Sequence, residues 1–319
     1  MSGRYAMSET SRDSRERLRQ LLAQERSALA KVGPVLGHLL TTPDHSLFSE
    51  EIVARVRGML TGLAIEILGT QAAATGDAGR QAFVEKHAES LAAHFMTSPT
   101  LLGHCHALAL EWQLTARMEA RYGFDPVLSP LIQTWIADED SAVASAAMAA
   151  LAAQARFTRA QRRMEVPLNE LPGDLFHETL MGWRSHAGET RSDAMVRAEA
   201  RLRNGYDESA SRLALFARLV AQMGRDAAEI LALEHAGVAL FLTGLATHSG
   251  QSREHAVLAT NERQATRLAL SLRAAGLDGQ ALGETLLRLH PDANPPRDAA
   301  SLTREDARAM LDEYSGTGG

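Results

Sequence analysis

The sequence predicts an all-α protein of stacked helix pairs, a HEAT-like helical repeat. Alanine and leucine, both strong helix formers, dominate its apolar residues, and aromatic residues make up only 5% of the chain. Alternating β-branched runs bounded by turn residues do not occur, so we predict no strand. The clearest repeat-like pair lies in residues 125–164, where a short acidic turn separates two periodic helices.

The chain of 319 residues is long enough for two helical domains. Prolines and a glycine break the helical pattern at residues 166–173, which we interpret as the internal boundary. A helical bundle is an alternative to stacked pairs for the N-terminal part. The predicted sections are a disordered N-terminus (1–14), an N-terminal helical domain ending in the HEAT-like pair (15–165), a C-terminal helical domain (174–314) and a disordered tail (315–319).

Four helices are predicted before the pair. Leucines share one face of the first helix, and Gly33-Pro34 interrupts it. An apolar stripe defines the second helix, which we expect to stop at Gly69. The third spans residues 81–95, and Ser98-Pro99 predicts the N-cap and first turn of the fourth. The residues predicted to face inward on the fourth helix are Leu101, Cys105, Leu108 and Trp112.

For the helix pair in residues 125–164, the sequence predicts both the turn and the residues that face inward. Acidic residues 138–140 form the turn, where the positive end of the following helix dipole favours carboxylates. The second helix is rich in alanine, which lets helix backbones approach closely. The inward residues are predicted to be Leu128, Leu131, Ile132, Trp135 and Ile136 on the first helix, and Val143, Ala146, Ala147, Ala150 and Leu151 on the second.

The C-terminal part contains a short repeated motif. Arg-Leu-Ala-Leu occurs at residues 212–215 and again at 267–270, each time opening a helix that ends near a glycine. This repetition suggests an internal duplication. Predicted helices in this part cover residues 174–184, 192–203, 207–222, 226–247, 252–274 and 279–289, with a capping box at Thr303 and Asp306 before the last one.

Composition excludes several classes of function. The net charge of −6 gives no general attraction to nucleic acid or anionic membrane, and no uncharged apolar run reaches the length of a membrane span. The first 20 residues lack the apolar segment of a signal peptide, and the single cysteine, Cys105, fits a reducing compartment. Only two lysines accompany 31 arginines, which is typical of GC-rich bacterial coding. We therefore expect a bacterial, cytoplasmic protein.

Catalytic and cofactor motifs are not found. Neither lysine follows a glycine as a P-loop requires, and neither the dinucleotide-binding glycine pattern nor the hydrolase nucleophile elbow occurs. His177-Glu178 begins like a zinc-protease motif, but Met181 occupies the position of the second histidine. The sequence therefore favours a protein that is not an enzyme and predicts no cofactor.

Histidines are the only metal-ligand candidates. His87 and His94 share a helical face but are about 10 Å apart along the axis, too far for one ion. His104 and His106 point to different sides of their helix. A site would require His94 to meet His104 and His106, and we favour surface or core-edge histidines instead.

Cys105 is interpreted as a small buried apolar residue rather than a nucleophile.

An arginine cluster is the strongest candidate for a binding surface. Arg156, Arg159 and Arg163 lie on one helical face near the end of the alanine-rich helix, with Arg162 beside them. Guanidinium groups arranged in this way suit phosphates or carboxylates, so a protein partner or an anion is predicted here. The alternative is a solvated face whose cations complement the negative helix end.

Residues 155–164 and the Pro-Leu-x-Glu-Leu-Pro motif at 167–172 resemble the middle of an uncharacterised bacterial family of helical proteins. That family is a domain of unknown function with HEAT-like organisation. Residues 250–254 and 272–277 are similar in style, so the resemblance covers much of the chain after Leu128. It implies a HEAT-like fold and no activity or functional residue.

These observations predict a non-enzymatic helical-repeat scaffold or regulator that binds a protein partner, whose oligomeric state stays open. One alternative is a sensor or enzyme with a pocket between the two halves, near Trp135, Phe157 and His177. The other is a metalloprotein that uses His94, His104 and His106.

Overall fold

A computed structural model of the chain describes residues 3–41, 49–75, 79–188, 192–222, 227–291 and 297–315. This part of the chain is all-α and contains no strand, which confirms the predicted fold class and is consistent with a helical repeat. None of the described helices combines the length and apolarity that crossing a bilayer requires. The helices are α1 Gly3–Ala30, α2 Val32–Thr41, α3 Glu50–Thr75, α4 Arg80–Phe95, α5 Pro99–Tyr122, α6 Pro130–Ile136, α7 Ser141–Arg162, α8 Gly173–Ala187, α9 Asp193–Gly205, α10 Arg212–Gln222, α11 Ala227–Leu231, α12 Leu233–Ser249, α13 Arg253–Ala259, α14 Ala265–Ala275, α15 Gly279–Leu289 and α16 Arg304–Ser315.

The chain folds into two compact units that interleave along the sequence. This arrangement differs from the two consecutive domains expected from the sequence, and the expected boundary at 166–173 lies inside the second unit. The first unit comprises Met1–Val32, Leu114–Trp135 and Ala217–Gly319, and the second comprises Gly33–Gln113 and Ile136–Phe216.

Helix α14 is the centre of the first unit. It packs against α12 and α16, and also contacts α1, α13 and α15. Apolar residues cover so much of its surface that most of the helix is buried, which is expected for a core helix. The fully buried positions include Leu268, Leu270 and Leu272.

Helix α3 has the same role in the second unit, where it packs against α4 and α9, and α4 packs against α8. Its apolar stripe, which includes Val56, Leu60 and Leu63, is fully buried, as the sequence predicts. The alanine-rich helix α7 also belongs to this unit, whereas α6 except its last residue belongs to the first.

Two helices have their N-termini capped by a glutamate from elsewhere in the same unit. The carboxylate of Glu25 accepts hydrogen bonds from the backbone N–H groups of Thr266 and Arg267 at 2.9 and 2.8 Å, at the start of α14. Glu170 accepts one from Arg212 N at 2.8 Å at the start of α10. These carboxylates satisfy N–H groups that no helical carbonyl can reach, and they complement the positive end of each helix dipole.

The two Arg-Leu-Ala-Leu motifs have the same local arrangement. Arg212 and Arg267 are both buried, at 2% and 1% exposure, and each donates its backbone N–H to one of those glutamates. A glutamine oxygen also accepts a hydrogen bond from each guanidinium, Gln154 for Arg212 and Gln251 for Arg267. Each unit therefore contains one Arg-Leu-Ala-Leu motif, and the motif begins its helix with the same contacts in both units.

Four sequence-based expectations about helix limits are wrong. Residues 3–14 form the first part of α1 instead of a disordered segment, and α3 continues through Gly69 to Thr75. The predicted helix over 226–247 is divided at Ala232, which has an extended backbone. The predicted helix over 252–274 is likewise divided between α13 and α14. Of the expected disordered tail, residues 316–319 lie outside the described residues.

Candidate functional site

The outer face of α7 is an exposed strip that follows the whole helix. Asp140 starts the helix as its N-cap, because its carboxylate accepts a hydrogen bond from Ala142 N at 2.8 Å. The opposite side of the helix is buried, with Ala147 and Ala150 fully inaccessible as predicted. The outer face, as we define it, consists of Ser141, Ala142, Ser145, Met148, Ala149, Ala152, Ala155, Arg156, Arg159, Arg162 and the adjoining Arg163.

All four predicted arginines lie together at the C-terminal end of this face. Arg156 lies 3.8 Å from a carboxylate oxygen of Glu170, and Arg163 lies 2.7 Å from one of Glu165, which raises the pKa of Arg163 by hydrogen bonding and charge. Arg159 and Arg162 are exposed and have no hydrogen-bond or ion-pair partner within the described residues. Two guanidinium groups are therefore available to an external carboxylate or phosphate.

A buried arginine holds the C-terminal end of α7 in place. Arg55 of α3 donates a hydrogen bond to the carbonyl oxygen of Gln161 at 2.7 Å, and its guanidinium lies 5.0 Å from the ring centre of Trp112. The same carbonyl oxygen accepts a hydrogen bond from Met164 N at 3.0 Å. The guanidinium therefore adds a second donor at this helix end and complements the negative end of the dipole. The exposed arginines thus extend from a helix end that the core fixes.

The chain leaves α7 through a left-handed residue packed closely against α3. Met164 has φ of 58° and is the one non-glycine residue with positive φ in the described part. A Cβ atom on Gly58 would lie 2.7 Å from the carbonyl oxygen of Met164. Glycine at position 58 is therefore required for this close approach of the two backbones.

The N-terminal end of α7 has the opposite charge. Asp138, Glu139 and Asp140 are exposed in the turn before the helix. Asp138 accepts a hydrogen bond from Asp140 N at 2.8 Å, whereas Glu139 has no partner within the described residues. The strip therefore runs from an acidic end, through alanines and Met148, to an arginine end.

The histidines proposed as metal ligands do not form a cluster. His104 and His106 are buried on α5, at 3% and 6% exposure, and burial lowers the pKa of His106 to about 4. His94 lies elsewhere, with its ring centre 5.6 Å from that of His186. No group of three or more histidine, cysteine or acidic side chains that could hold a metal occurs among the residues that the structure describes.

His186 is a neighbour that the sequence analysis did not predict. Its side chain lies beside α4, with Nε2 3.3 Å from Ser90 Oγ. Partial burial, together with the charges of His94 and His87, lowers the pKa of His186 below its ordinary value. No local spacing signals this group, since α4 and α8 meet through tertiary packing.

Cys105 is buried in α5, as predicted, and burial raises the pKa of its thiol to about 12. The thiolate, which is the reactive form, is therefore absent at neutral pH. This environment supports the interpretation of Cys105 as a small apolar core residue.

A buried ion pair on α5 and α10 was also not predicted. Arg212 donates two hydrogen bonds to the carboxylate of Glu111, at 2.6 and 3.0 Å, and both side chains are almost fully inaccessible. The guanidinium lies 3.6 Å from the ring centre of Phe157. Because no path to solvent is evident from these exposures, the pair is positioned to hold the core together rather than to contact a ligand.

The first unit contains a separate cleft of about 440 Å³ between α11, α12, α14, α15 and α16. Its charged groups already have partners, since Arg288 forms an ion pair with Glu234, and Arg304 donates to the carbonyl oxygens of Ala274 and His248. The residues predicted to line a pocket, Trp135, Phe157 and His177, do not line this cleft.

No family model, curated protein or solved structure matches this chain. The resemblance to a HEAT-like domain of unknown function therefore stays a prediction.

Proposed function

We propose that this chain is a non-enzymatic helical-repeat scaffold or regulatory protein that binds a protein partner on the outer face of α7. The observation that carries the proposal is the exposed arginine end, where Arg159 and Arg162 have no partner among the described residues. These groups adjoin a strip of alanines and Met148, which is 52% exposed.

The chemistry of this face favours a helical, acidic partner segment. Alanine side chains are short, so a second helix can approach α7 at the lower end of the usual interaxial distance of about 8–10 Å. Arginine binds carboxylates through two parallel hydrogen bonds, which adds orientation to the charge attraction. A helix with apolar residues at its centre and carboxylates at one end has the complementary pattern.

The environment of the reactive residues supports a role other than catalysis. Cys105 and His106 are buried, and the pKa values of both groups are shifted so that each is neutral at pH 7. Neither side chain is placed to touch a substrate.

We further propose, from the single reduced cysteine and the arginine bias, that the protein acts in a bacterial cytoplasm.

A small-molecule sensor is the second candidate function, favoured by the cleft in the first unit. Its volume of about 440 Å³ is within the range of small ligand sites. Arg288 and Arg304 are already paired within the fold, so neither guanidinium is free to recognise a ligand there. We rank it below the α7 face for this reason.

Photo-crosslinking tests the proposed function. A benzoyl-phenylalanine is placed at Ala152 on the outer face of α7, the protein is produced in its own cells, and adducts are separated after irradiation. We expect one discrete adduct, identified by mass spectrometry, because the probe lies at the centre of the proposed contact. The substitution R159E/R162E should remove most of it by reversing the charge that holds the partner.

The matched control carries the same probe at Arg201, which is exposed on α9 in the same unit. If the probe at Ala152 gives no adduct beyond those of the control, α7 is not a docking surface and the proposed function is wrong.

A further inference from the structure

We infer that the partner on the outer face of α7 is a second copy of this chain, bound with its own α7 antiparallel to the first. The acidic start of each helix then meets the arginine end of the other. This inference rests on the proposed function, because it names the partner for the same surface.

The charge pattern of α7 is complementary to itself only in the antiparallel direction. Residues 138–140 supply three exposed carboxylates before the helix, and Arg156, Arg159 and Arg162 lie in its last two turns. The helix has 22 residues, about 33 Å, so the two ends are separated by several Debye lengths at physiological salt and act independently. Two parallel copies would instead place like charges together at both ends.

The middle of the face allows the two helices to touch. Ala149 and Ala152 lie midway between the acidic and arginine ends, at the place where a two-fold axis would cross. A two-fold contact uses the same patch on both copies, so small residues at this point meet small residues. Met148 lies beside them with 52% of its surface exposed and would gain burial on association.

Unpaired charges on each end support the same arrangement. Arg159 and Arg162 have no partner within the described residues, and neither does Glu139 at the other end. In the antiparallel dimer each unpaired acid lies near unpaired arginines, and the contact occurs twice by symmetry. The antiparallel direction also brings opposite ends of the two helix dipoles together.

The expected dimer is weak. A contact along one helix from each copy buries less than the roughly 1,200–2,000 Å² of a stable interface. We therefore expect a dissociation constant on the order of 10–100 µM, with association that weakens as salt is raised.

Charge exchange tests this inference in the full-length chain. Sedimentation velocity is measured for wild type, for R159E/R162E, for D138K/E139K and for their equimolar mixture, from about 5 to 500 µM to span the expected constant. In each variant the substituted side chains at one end of α7 take the charge sign of the other end, while Asp140 and the ion-paired Arg156 and Arg163 stay unchanged. We therefore expect dimerisation to weaken by about 10- to 100-fold. The mixture restores opposite charges at both ends and should form heterodimers as strong as the wild-type dimer. The variant that carries all four substitutions should again form a homodimer.

The control R121E/R201E makes the same charge change at two exposed arginines outside α7 and should dimerise like wild type. Thermal melting checks that every variant folds, and the substitutions spare the N-cap Asp140. Wild type that stays monomeric at 500 µM, variants that dimerise undiminished, or a mixture that stays monomeric would each overturn the inference. A monomeric wild type that still gives the crosslinked adduct at Ala152 with another protein would leave the proposed function standing.

Discussion

His106 shows how a single buried residue makes the stability of the fold depend on pH. Burial lowers its pKa to about 4, from an ordinary value of 6.5, and its Nδ1 atom has no hydrogen-bond partner among the residues that the structure describes. Between these two values the unfolded chain binds more protons than the folded chain. The stability contribution is therefore fully present above pH 6.5 and is lost as the pH falls toward 4.

Replacing His106 with phenylalanine should remove this acid sensitivity. We expect the wild type to lose about 3 kcal/mol of unfolding free energy through this group between pH 6.5 and 4, and the variant to lose correspondingly less. Urea unfolding at a series of pH values measures both curves. His177→Gln, at an exposed histidine, is the matched control. Equal slopes for wild type and His106→Phe would contradict the assigned burial effect.

Glu111 illustrates what residue patterns alone cannot predict. The periodicity of α5 placed Trp112 inward, and Leu101, Cys105 and Leu108 are indeed buried, yet Glu111 is at 1% exposure while Trp112 is half-buried. A buried carboxylate is stable only with a partner, and Arg212 lies 101 positions away in the sequence. Such a distant pair leaves no local signal.

At the scale of elements, the contact between α3 and the end of α7 depends on one glycine. A Cβ atom at Gly58 would lie 2.7 and 2.8 Å from the carbonyl oxygen and Cβ of Met164, so the backbones would have to separate. Gly69 lies further along the same helix, and apart from the helix's own backbone no atom of the described residues lies within 4 Å of its Cβ position. Alanine substitutions at Gly58 and Gly69 therefore form a test and its matched control within one helix.

The substitution Gly58→Ala should lower the unfolding free energy by about 1–3 kcal/mol through this overpacking. Gly69→Ala should raise it by about 0.5–1 kcal/mol, because alanine restricts the unfolded chain and favours the helix. Chemical denaturation of both variants measures the difference. A rise in the unfolding free energy at both positions would mean that the close approach does not exist.

Helix identity was more predictable than helix limits. Residues 81–95 and Ser98-Pro99 gave α4 and the start of α5 almost to the residue. Ser98 caps α5, because its Oγ accepts a hydrogen bond from Leu101 N at 3.1 Å. Gly69 did not stop α3, since a glycine inside a helix costs only about 1 kcal/mol, which packing outweighs. The break at Ala232 has no glycine or proline to signal it.

At the scale of the whole molecule, the net charge does not indicate where the candidate site lies. The value of −6 indicated only the absence of a general attraction to polyanions, whereas α7 separates opposite charges along one helix. The sequence predicted the four arginines and the acidic turn correctly as neighbours of one helix. That Arg159 and Arg162 have no partner in the described part of the chain could not be predicted, because it depends on which acidic residues tertiary packing brings near them.

The most direct test of the α7 surface is methyl NMR of protein labelled at the methionine Cε. Met148 lies on the outer face of α7, and Met181, which is 41% exposed on α8, provides an internal reference. Spectra are recorded on dilution from about 500 to 5 µM, which spans the expected dissociation constant. We predict that the Met148 signal shifts with concentration while the Met181 signal stays in place, and that R159E/R162E abolishes the shift. A Met148 signal that does not change with concentration would contradict antiparallel pairing through this face.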